Sequence, residues 1–436
     1  MKKKITLISL GCEKNLVDSE LILGLLSKSN VEIVEDVKEA DIVIINTCGF
    51  ITSAKEEAIN TIFDVLENKK DGAKVIATGC LVQRYKCELQ QEIPEVDEWI
   101  TISDYINFGN ILKSYIQDES LVDKYLKMEE RIITTPSPLA YVRASDGCLH
   151  KCAYCAIPLI RGKLKSRPID EIVEEVNKLV HSGRKEICLI SQDLSAYGYD
   201  IHTNLTSLLK KLVKIEGDFW IRLLYLYPSE IKDDLIQLIK ENKKILPYFD
   251  IPLQHASNKI LKYMRRLGKK EDIINLLYKI RKEIPSAVLR TTMMVGFPHE
   301  SEKDFNELIS FIEEVKFNHL GAFTYSKEEN TESYSMKPQV SERIKKERLN
   351  ILMDKQRWIS LSLNKEFIGR KDDCIIEKYD SADDTFSGRT YAFAPDDIDG
   401  EVIIENNKGY SDDIVGKIMK IEITDADFYD LKAKFE

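Results

Sequence analysis

No apolar stretch in this 436-residue chain approaches the roughly 18 residues that a membrane-crossing helix needs, so no membrane span is expected. A secretory leader is equally hard to find. The start, MKKKITLISLGC, imitates one with its lysines and its Gly-Cys pair. Its apolar segment, Ile5 to Leu10, is shorter than a leader's usual core of about 7 residues or more and runs on into the amphipathic EKNLVDSELILGLL, so a cytoplasmic strand opening a domain is the expectation. Internal repeats and low-complexity tracts are absent too, which leaves an ordinary packed chain, long enough for two or three domains. Its nine cysteines are odd in number. Without export that count fits a reducing compartment, where thiols bind metal or do redox work rather than form disulfides. The most informative absence is local. DGCLHKCAYCAIP places Cys148, Cys152 and Cys155 within eight residues with no fourth cysteine nearby. A structural zinc normally takes four ligands as two close pairs, so three thiolates point to a metal centre with one coordination position left open.

What is present reads as three regions. From residue 1 to about 131, the strand candidates ITLISL, DIVIINT and KVIATG alternate with helical text such as Ser53 to Asn68, the rhythm of a parallel α/β sheet. Thr134 to Pro138, TTPSP, is a Pro-rich linker. Between 134 and 365 six strand candidates follow, near Tyr141–Ala144, Ile187–Ser191, Ile221–Leu226, Tyr248–Ile251, Val288–Val295 and Leu320–Phe323, each followed by helical text. Six βα units predict a partial (β/α)6 barrel rather than the closed eight-unit form. The charged helix text from Ser341 to Asn364 ends it. From 367 to 436 the runs DDCIIEKY, TYAFA, EVIIE and GKIMKIEIT, separated by Gly, Asp and Asn turns, predict a small β-barrel of the OB type.

The remaining cysteines repeat one placement. Cys12 follows the first strand in SLGCEKN, Cys48 the third in INTCGF, and Cys80 follows VIATGC. The carboxyl ends of parallel strands share one edge, where ligands gather, so three loops can bring three distant thiolates to one point. Buried structural cysteine is the plain alternative for any one of them. Cys87, Cys188 and Cys374 lack the placement and read as core or incidental thiols. Thiolates hold iron-sulfur clusters, and a cubane with three protein ligands keeps one iron free for another ligand.

The pattern CLHKCAYC, with Tyr154 just before its last cysteine, resembles the radical S-adenosylmethionine signature. SLGCEKNLVDSE, YVRASDGCLHKCAYCAIP, LISQDLSAYG, LLYLYP, FDIPLQHAS, LKYMRR and MMVGFP extend the likeness over essentially the whole chain to the methylthiotransferase family, which joins an N-terminal cluster domain, a radical domain and a C-terminal TRAM domain. The resemblance implies that Cys148, Cys152 and Cys155 hold a 4Fe-4S cluster that binds and cleaves S-adenosylmethionine. It implies that Cys12, Cys48 and Cys80 hold a second, auxiliary 4Fe-4S cluster that handles sulfur. It sets Tyr154 against the adenine, and Ser191, Gln192 and Asp193 near the methionine end of the cofactor, where a solvated strand end is the bland reading. An external electron donor is implied as well, and the clusters rather than a side chain carry the catalysis. His255, in PLQHAS, stands either against substrate or cofactor or in a backbone hydrogen bond. GFPHES departs from the family's GFPGET at His299 and Ser301, which puts the loop geometry and any role for Glu300 in question.

Within the family the likeness is greatest to the branch that methylthiolates an aspartate of ribosomal protein S12 at its β-carbon. An unactivated C–H bond there is beyond a side-chain base, so a radical route is required. Charge points the same way. Phe367 to Glu436 carries nine Lys and Arg against eighteen Asp and Glu. A module that grips RNA presents a positive face, whereas an acidic one suits a basic protein; RNA contact is therefore not favoured. The alternatives are a transfer-RNA methylthiotransferase, which binds RNA with a steep salt dependence, and a non-catalytic iron-sulfur or zinc protein, which needs no S-adenosylmethionine.

Overall fold

A computed structural model describes residues 2–121, 126, 128–396 and 398–436. Residues 1, 122–125, 127 and 397, which fall within the first and third expected regions, lie outside the described residues.

The first region is a five-stranded parallel sheet. Its strands are β1 (Lys3–Ser9), β2 (Val31–Ile33), β3 (Ile42–Thr47), β4 (Lys74–Gly79) and β5 (Glu98–Ile100), in the order β2-β1-β3-β4-β5. β3 is buried along its whole length, as the unbroken apolar run IVII demands of a central strand covered on both faces. Helices α1 (Glu13–Leu26), α2 (Thr52–Asn68) and α3 (Cys80–Glu92) leave the carboxyl ends of β1, β3 and β4.

The second region carries six parallel strands: β6 (Leu139–Arg143), β9 (Glu186–Ile190), β10 (Trp220–Leu223), β11 (Tyr248–Asp250), β12 (Val288–Val295) and β13 (His319–Thr324). They form the groups β10-β9-β6 and β11-β12-β13. Backbone bonds from Ile221 N to Lys244 O (2.7 Å) and Leu226 N to Asp250 O (2.8 Å) join the groups into one open barrel. A short antiparallel pair, β7 (Ser145–Asp146) with β8 (Lys165–Ser166), brackets the loop that bears the close cysteine triplet. Residues alternate cleanly: Ile187 and Leu189 of β9 pack under the outer helices, and Cys188 and Ile190 face inward.

The third region is a closed five-stranded barrel of β14 (Lys371–Asp380), β15 (Thr385–Thr390), β16 (Val402–Glu405), β17 (Ile418–Ala426) and β18 (Leu431–Phe435). One strand expectation fails here. TYAFA is not a strand beyond Thr390; Tyr391 to Ala394 form a turn that plugs the interior of the large barrel. Ala392 and Phe393 share one apolar cluster with Tyr141, Trp220 and Tyr248. Its polar groups meet inward-facing barrel residues: Arg222 donates to Tyr391 O (3.0 Å), His319 bonds Ala392 O (2.8 Å), and Tyr248 donates to Asp399. Glu186 accepts from Arg222 (2.5 Å) and Arg389 (2.6 Å). Burial raises the Glu186 carboxyl, but these two guanidiniums outweigh it and hold it at about 2. A short apolar run carries no periodicity that separates a strand from such an insertion. Part of the acidity of the small barrel is thus spent inside the junction rather than displayed.

The linker is likewise not slack. Thr134 N donates to Glu20 of α1 (2.7 Å), and Arg131 pairs with Glu20 and Glu175 (2.9 and 2.8 Å). Among the described residues no helix is long and apolar enough to cross a membrane.

Candidate functional site

The three N-terminal cysteines meet because three strand ends do. Cys12 is the N-cap of α1, Cys48 follows β3, and Cys80 begins α3 directly after β4. Two glycines permit the approach. A Cβ on Gly11 would lie 2.7 Å from Cys48 Cβ, and one on Gly49 would lie 2.6 Å from Leu81 Cα, so any side chain there would force the loops apart. Asn15, one turn into α1, donates to the carbonyls of Leu10 (2.6 Å) and of Asn46 and Thr47 (3.3 Å each), tying the loops from β1 and β3 together.

The close triplet lies on the loop between β7 and β8. His150 N donates to Cys148 Sγ (3.4 Å), Cys155 N donates to Cys152 O (3.1 Å), and Ala153 N donates to Met264 O (3.0 Å). All six cysteines line one cavity of 410 Å³ between the first sheet and the barrel's strand ends.

In both cysteine sets burial outweighs the nearby guanidiniums of Arg161 and Arg266. Burial pushes the thiols of Cys80 and Cys155 up to about 12 and that of Cys148 up to about 11. Thiolate character there needs a bound cation, which displaces the proton on binding. Among the described residues, no three His, Cys, Asp or Glu side chains converge closely enough to hold a single metal ion. A cluster needs no such convergence on one ion, because each thiolate meets a different iron. Gln192 and Gln254 also line the cavity, and the side-chain carbonyl oxygen of each is buried without a hydrogen-bond partner. Gln254 holds a left-handed backbone (φ 74°), the kind of strain that a site retains. Both oxygens call for a donor, and S-adenosylmethionine offers an ammonium and ribose hydroxyls. The donor sets therefore fit two iron-sulfur clusters and this cofactor.

Of the other expected site residues, Tyr154, Gln192 and Asp193 line the cavity, and Ser191 does not. Ser191 is fully buried and accepts from Ser145 N (3.1 Å) and Ser145 Oγ (2.9 Å), bracing the start of the cysteine loop from behind. Tyr154 meets Phe297 edge-on. Asp193 binds His150 Nε2 (2.8 Å), and His150 stacks on Tyr227 with centroids 3.7 Å apart. His255 is fully buried, accepts from Ser257 N (2.9 Å) and stays off the cavity wall. His299 adopts φ 70°, a conformation that suits the glycine of the family pattern, and stacks on Tyr263. Glu300 closes that turn, accepting from Gly296 N (2.7 Å) and pairing with Arg348 (2.6 Å). Cys188 and Cys374 are core, and Cys87 is exposed on α3.

Several wall residues carried no signal in isolation. Arg161, from the barrel domain, crosses to Asp18 of α1 (2.6 Å) and approaches Cys80 Sγ (3.5 Å). Arg266 lies over the face of Tyr227 at 4.1 Å. Glu328 anchors Lys55 (2.9 Å) and Arg84 (3.1 Å) from the first region. Lys14 and Tyr225 complete the wall. VDSE and LKYMRR contain Asp18 and Arg266, but only the docking of two regions shows what those residues face.

Family models match in three places: "Uncharacterized protein family UPF0004" over residues 4–101, "Radical SAM superfamily" over 142–312 and "TRAM domain" over 368–435. A curated protein of Clostridioides difficile called "Ribosomal protein uS12 methylthiotransferase RimO" is 44% identical over 438 residues, 98% of each chain. One of the same description from Pelobacter propionicus is 45% identical, covering 99% of this chain and 97% of its own. Among solved structures, the radical S-adenosylmethionine methyltransferase TsrM of Kitasatospora setae matches with a TM-score of 0.56 at 13% identity, over 74% of this chain and 75% of its own. The radical enzyme OxsB matches with a TM-score of 0.52 at 12% identity, over 82% and 56%. At such identities these two likenesses concern the fold.

Proposed function

The chain belongs to the RimO family of radical S-adenosylmethionine methylthiotransferases, and from that premise we propose that it adds a methylthio group to the β-carbon of an aspartate of ribosomal protein S12. The observation that carries this reading is the opening of both cysteine triplets on one cavity. Cys148, Cys152 and Cys155 are assigned to the cluster that meets S-adenosylmethionine, and Cys12, Cys48 and Cys80 to the auxiliary one. When bound, these groups supply a 5'-deoxyadenosyl radical at the first triplet and sulfur at the second, drawing electrons from an external donor.

The chain's own residues bind, orient and shield. Gln192 and Gln254 offer unpaired acceptors to the cofactor's ammonium and ribose, and Tyr154, backed by the buried Phe297, presents an apolar wall to its adenine. The stack of His150, Tyr227 and Arg266, with Asp193 holding His150, fixes one side of the cysteine loop without a flexible contact. Asp18 is shared by Arg143 (2.5 Å) and Arg161 (2.6 Å), and Glu328 by Lys55 and Arg84. These buried ion pairs join the first region to the barrel on both sides of the cavity. By holding the two walls together, these residues would limit the access of water to the radical chemistry that the bound groups would supply.

Mass spectrometry tests the reading. Anaerobically reconstituted protein, given S-adenosylmethionine and a one-electron reductant, is offered purified S12, assembled small subunits or transfer RNA. A methylthio adduct on the aspartate of S12 is the expected product. An adduct on transfer RNA alone would move the chain to the RNA branch, and absence of S-adenosylmethionine cleavage would mark a non-catalytic iron-sulfur protein.

A further inference from the structure

We infer that Lys14 recognises the side-chain carboxylate of the target aspartate and thereby sets which substrate the cavity accepts; this rests on the reading of S12 as substrate. Lys14 stands two residues after Cys12, in the first turn of α1, and only 8% of it is exposed. Its ammonium lies 3.0 Å from the centroid of the Tyr225 ring and 2.9 Å from Glu13 Oε1, on the wall of the cavity shared by the six cysteines. Tyr225 comes from the loop after β10 and holds a left-handed backbone (φ 65°). Its N–H donates to Asp250 (2.8 Å) and its carbonyl accepts from Leu194 N (2.9 Å), so both regions cooperate to aim one cation inward.

The chemistry of the substrate selects this group. A carboxylate that enters a closed cavity loses its hydration, and it is tolerated only where a cation or several donors replace the water. Three cationic side chains from the two docked regions reach the wall deep in the cavity: Arg161, Arg266 and Lys14. Arg161 is engaged by Asp18 through one terminal nitrogen, which also approaches Cys80, and by Asp146 through the other (3.7 Å). Arg266 is laid against Tyr227 and donates to Pro252 O, beside the radical triplet. The methylthio group is added at the β-carbon, one bond from the carboxylate carbon, so the carboxylate must settle within a few ångströms of the sulfur. Sulfur belongs to the triplet of Cys12, which is where Lys14 is. Glu13 takes one of its three N–H groups, and the flexible four-carbon stem lets the ammonium follow a second carboxylate. An asparagine or a nucleobase in the same place would carry no charge to match it.

The test is binding rather than turnover. Fluorescence anisotropy of labelled S12, carrying Asp or Asn at the target position, is measured against anaerobic holoenzyme. Wild type is expected to bind the Asp form about tenfold more tightly, the ratio that one charge-assisted hydrogen bond of about 1.4 kcal/mol gives. Lys14→Met should bind both forms equally and weakly, and Lys14→Arg should restore most of the preference, each with the iron content of wild type. If the Met variant loses iron, Lys14→Gln, which keeps the stem and a neutral donor, carries the same comparison. A preference for Asp that survives removal of the charge overturns the inference about Lys14, as does wild-type binding that ignores Asp against Asn. Failure of wild type to bind either form of S12 overturns the substrate reading, and the inference with it.

Discussion

Cys148, Cys152 and Cys155 sit on one loop of eight residues held between β7 and β8, whereas Cys12, Cys48 and Cys80 come from three strand ends more than thirty residues apart. The first set is pre-assembled by its own backbone, with bonds from Cys155 N to Cys152 O and His150 N to Cys148 Sγ. The second exists only while the parallel sheet is in register and its loops touch at Gly11 and Gly49. A local site tolerates disturbance of its neighbours, and a dispersed one inherits every weakness of the sheet and of the domain docking around it.

The largest expected effects come from deleting each set. Ala at Cys148, Cys152 and Cys155 together should lower reconstituted iron from about eight to about four and abolish S-adenosylmethionine cleavage, read by iron analysis and 5'-deoxyadenosine yield. Ala at Cys12, Cys48 and Cys80 should leave about four irons and intact cleavage upon reduction, with no methylthio product by mass spectrometry. Retained methylthiolation in that folded variant would remove the auxiliary cluster from the mechanism.

Gly49→Ala asks whether the dispersed site is the fragile one. The added methyl meets the Leu81 backbone at 2.6 Å, and overpacking of this kind costs about 1–3 kcal/mol. Iron should fall toward that of the triple N-terminal variant while the absorbance of the radical-domain cluster persists. Equal loss from both sites would break the comparison.

A smaller effect is expected from Glu328→Gln, which leaves Lys55 and Arg84 without their shared carboxylate, a loss of about 3 kcal/mol by analogy with broken buried pairs. Iron should be unchanged, and methylthio product per 5'-deoxyadenosine should fall severalfold because the two sites are held less firmly in apposition. The smallest effect on the site belongs to Arg389→Met. It frees one side of Glu186 at the amino ends of the barrel strands, away from the cavity. Thermal unfolding should come earlier by several degrees, as about 3 kcal/mol implies, with iron content and product ratio as in wild type.

How far each feature was legible follows the same division. Val288–Val295, Ile169–His181 and Glu302–Val315 coincide in text and structure because their apolar periodicity is strong and their turns are marked. The N-terminal triplet was legible from its repeated position after strands, though neither Gly11 nor Gly49 announces which loop it will touch. TYAFA misled, since its apolar run fills the interior of another domain. Ser191 sits in the expected stretch but is turned away from the cavity, and Gln254 beside the singled-out His255 faces it instead.

By itself the sequence determined the three-part order, the period of each part, and a loop with three closely spaced cysteines, because those features depend on neighbours along the chain. Only the tertiary structure decided that two triplets share one cavity, that Arg161 reaches from one region to the cysteine of another, that Lys14 and Tyr225 meet, and that a turn of the small barrel fills the large one. Contacts between regions join residues as far apart as Lys55 and Glu328, 273 positions along the chain. No local pattern encodes them, since burial and ion pairing reward whichever surfaces the completed sheets bring together.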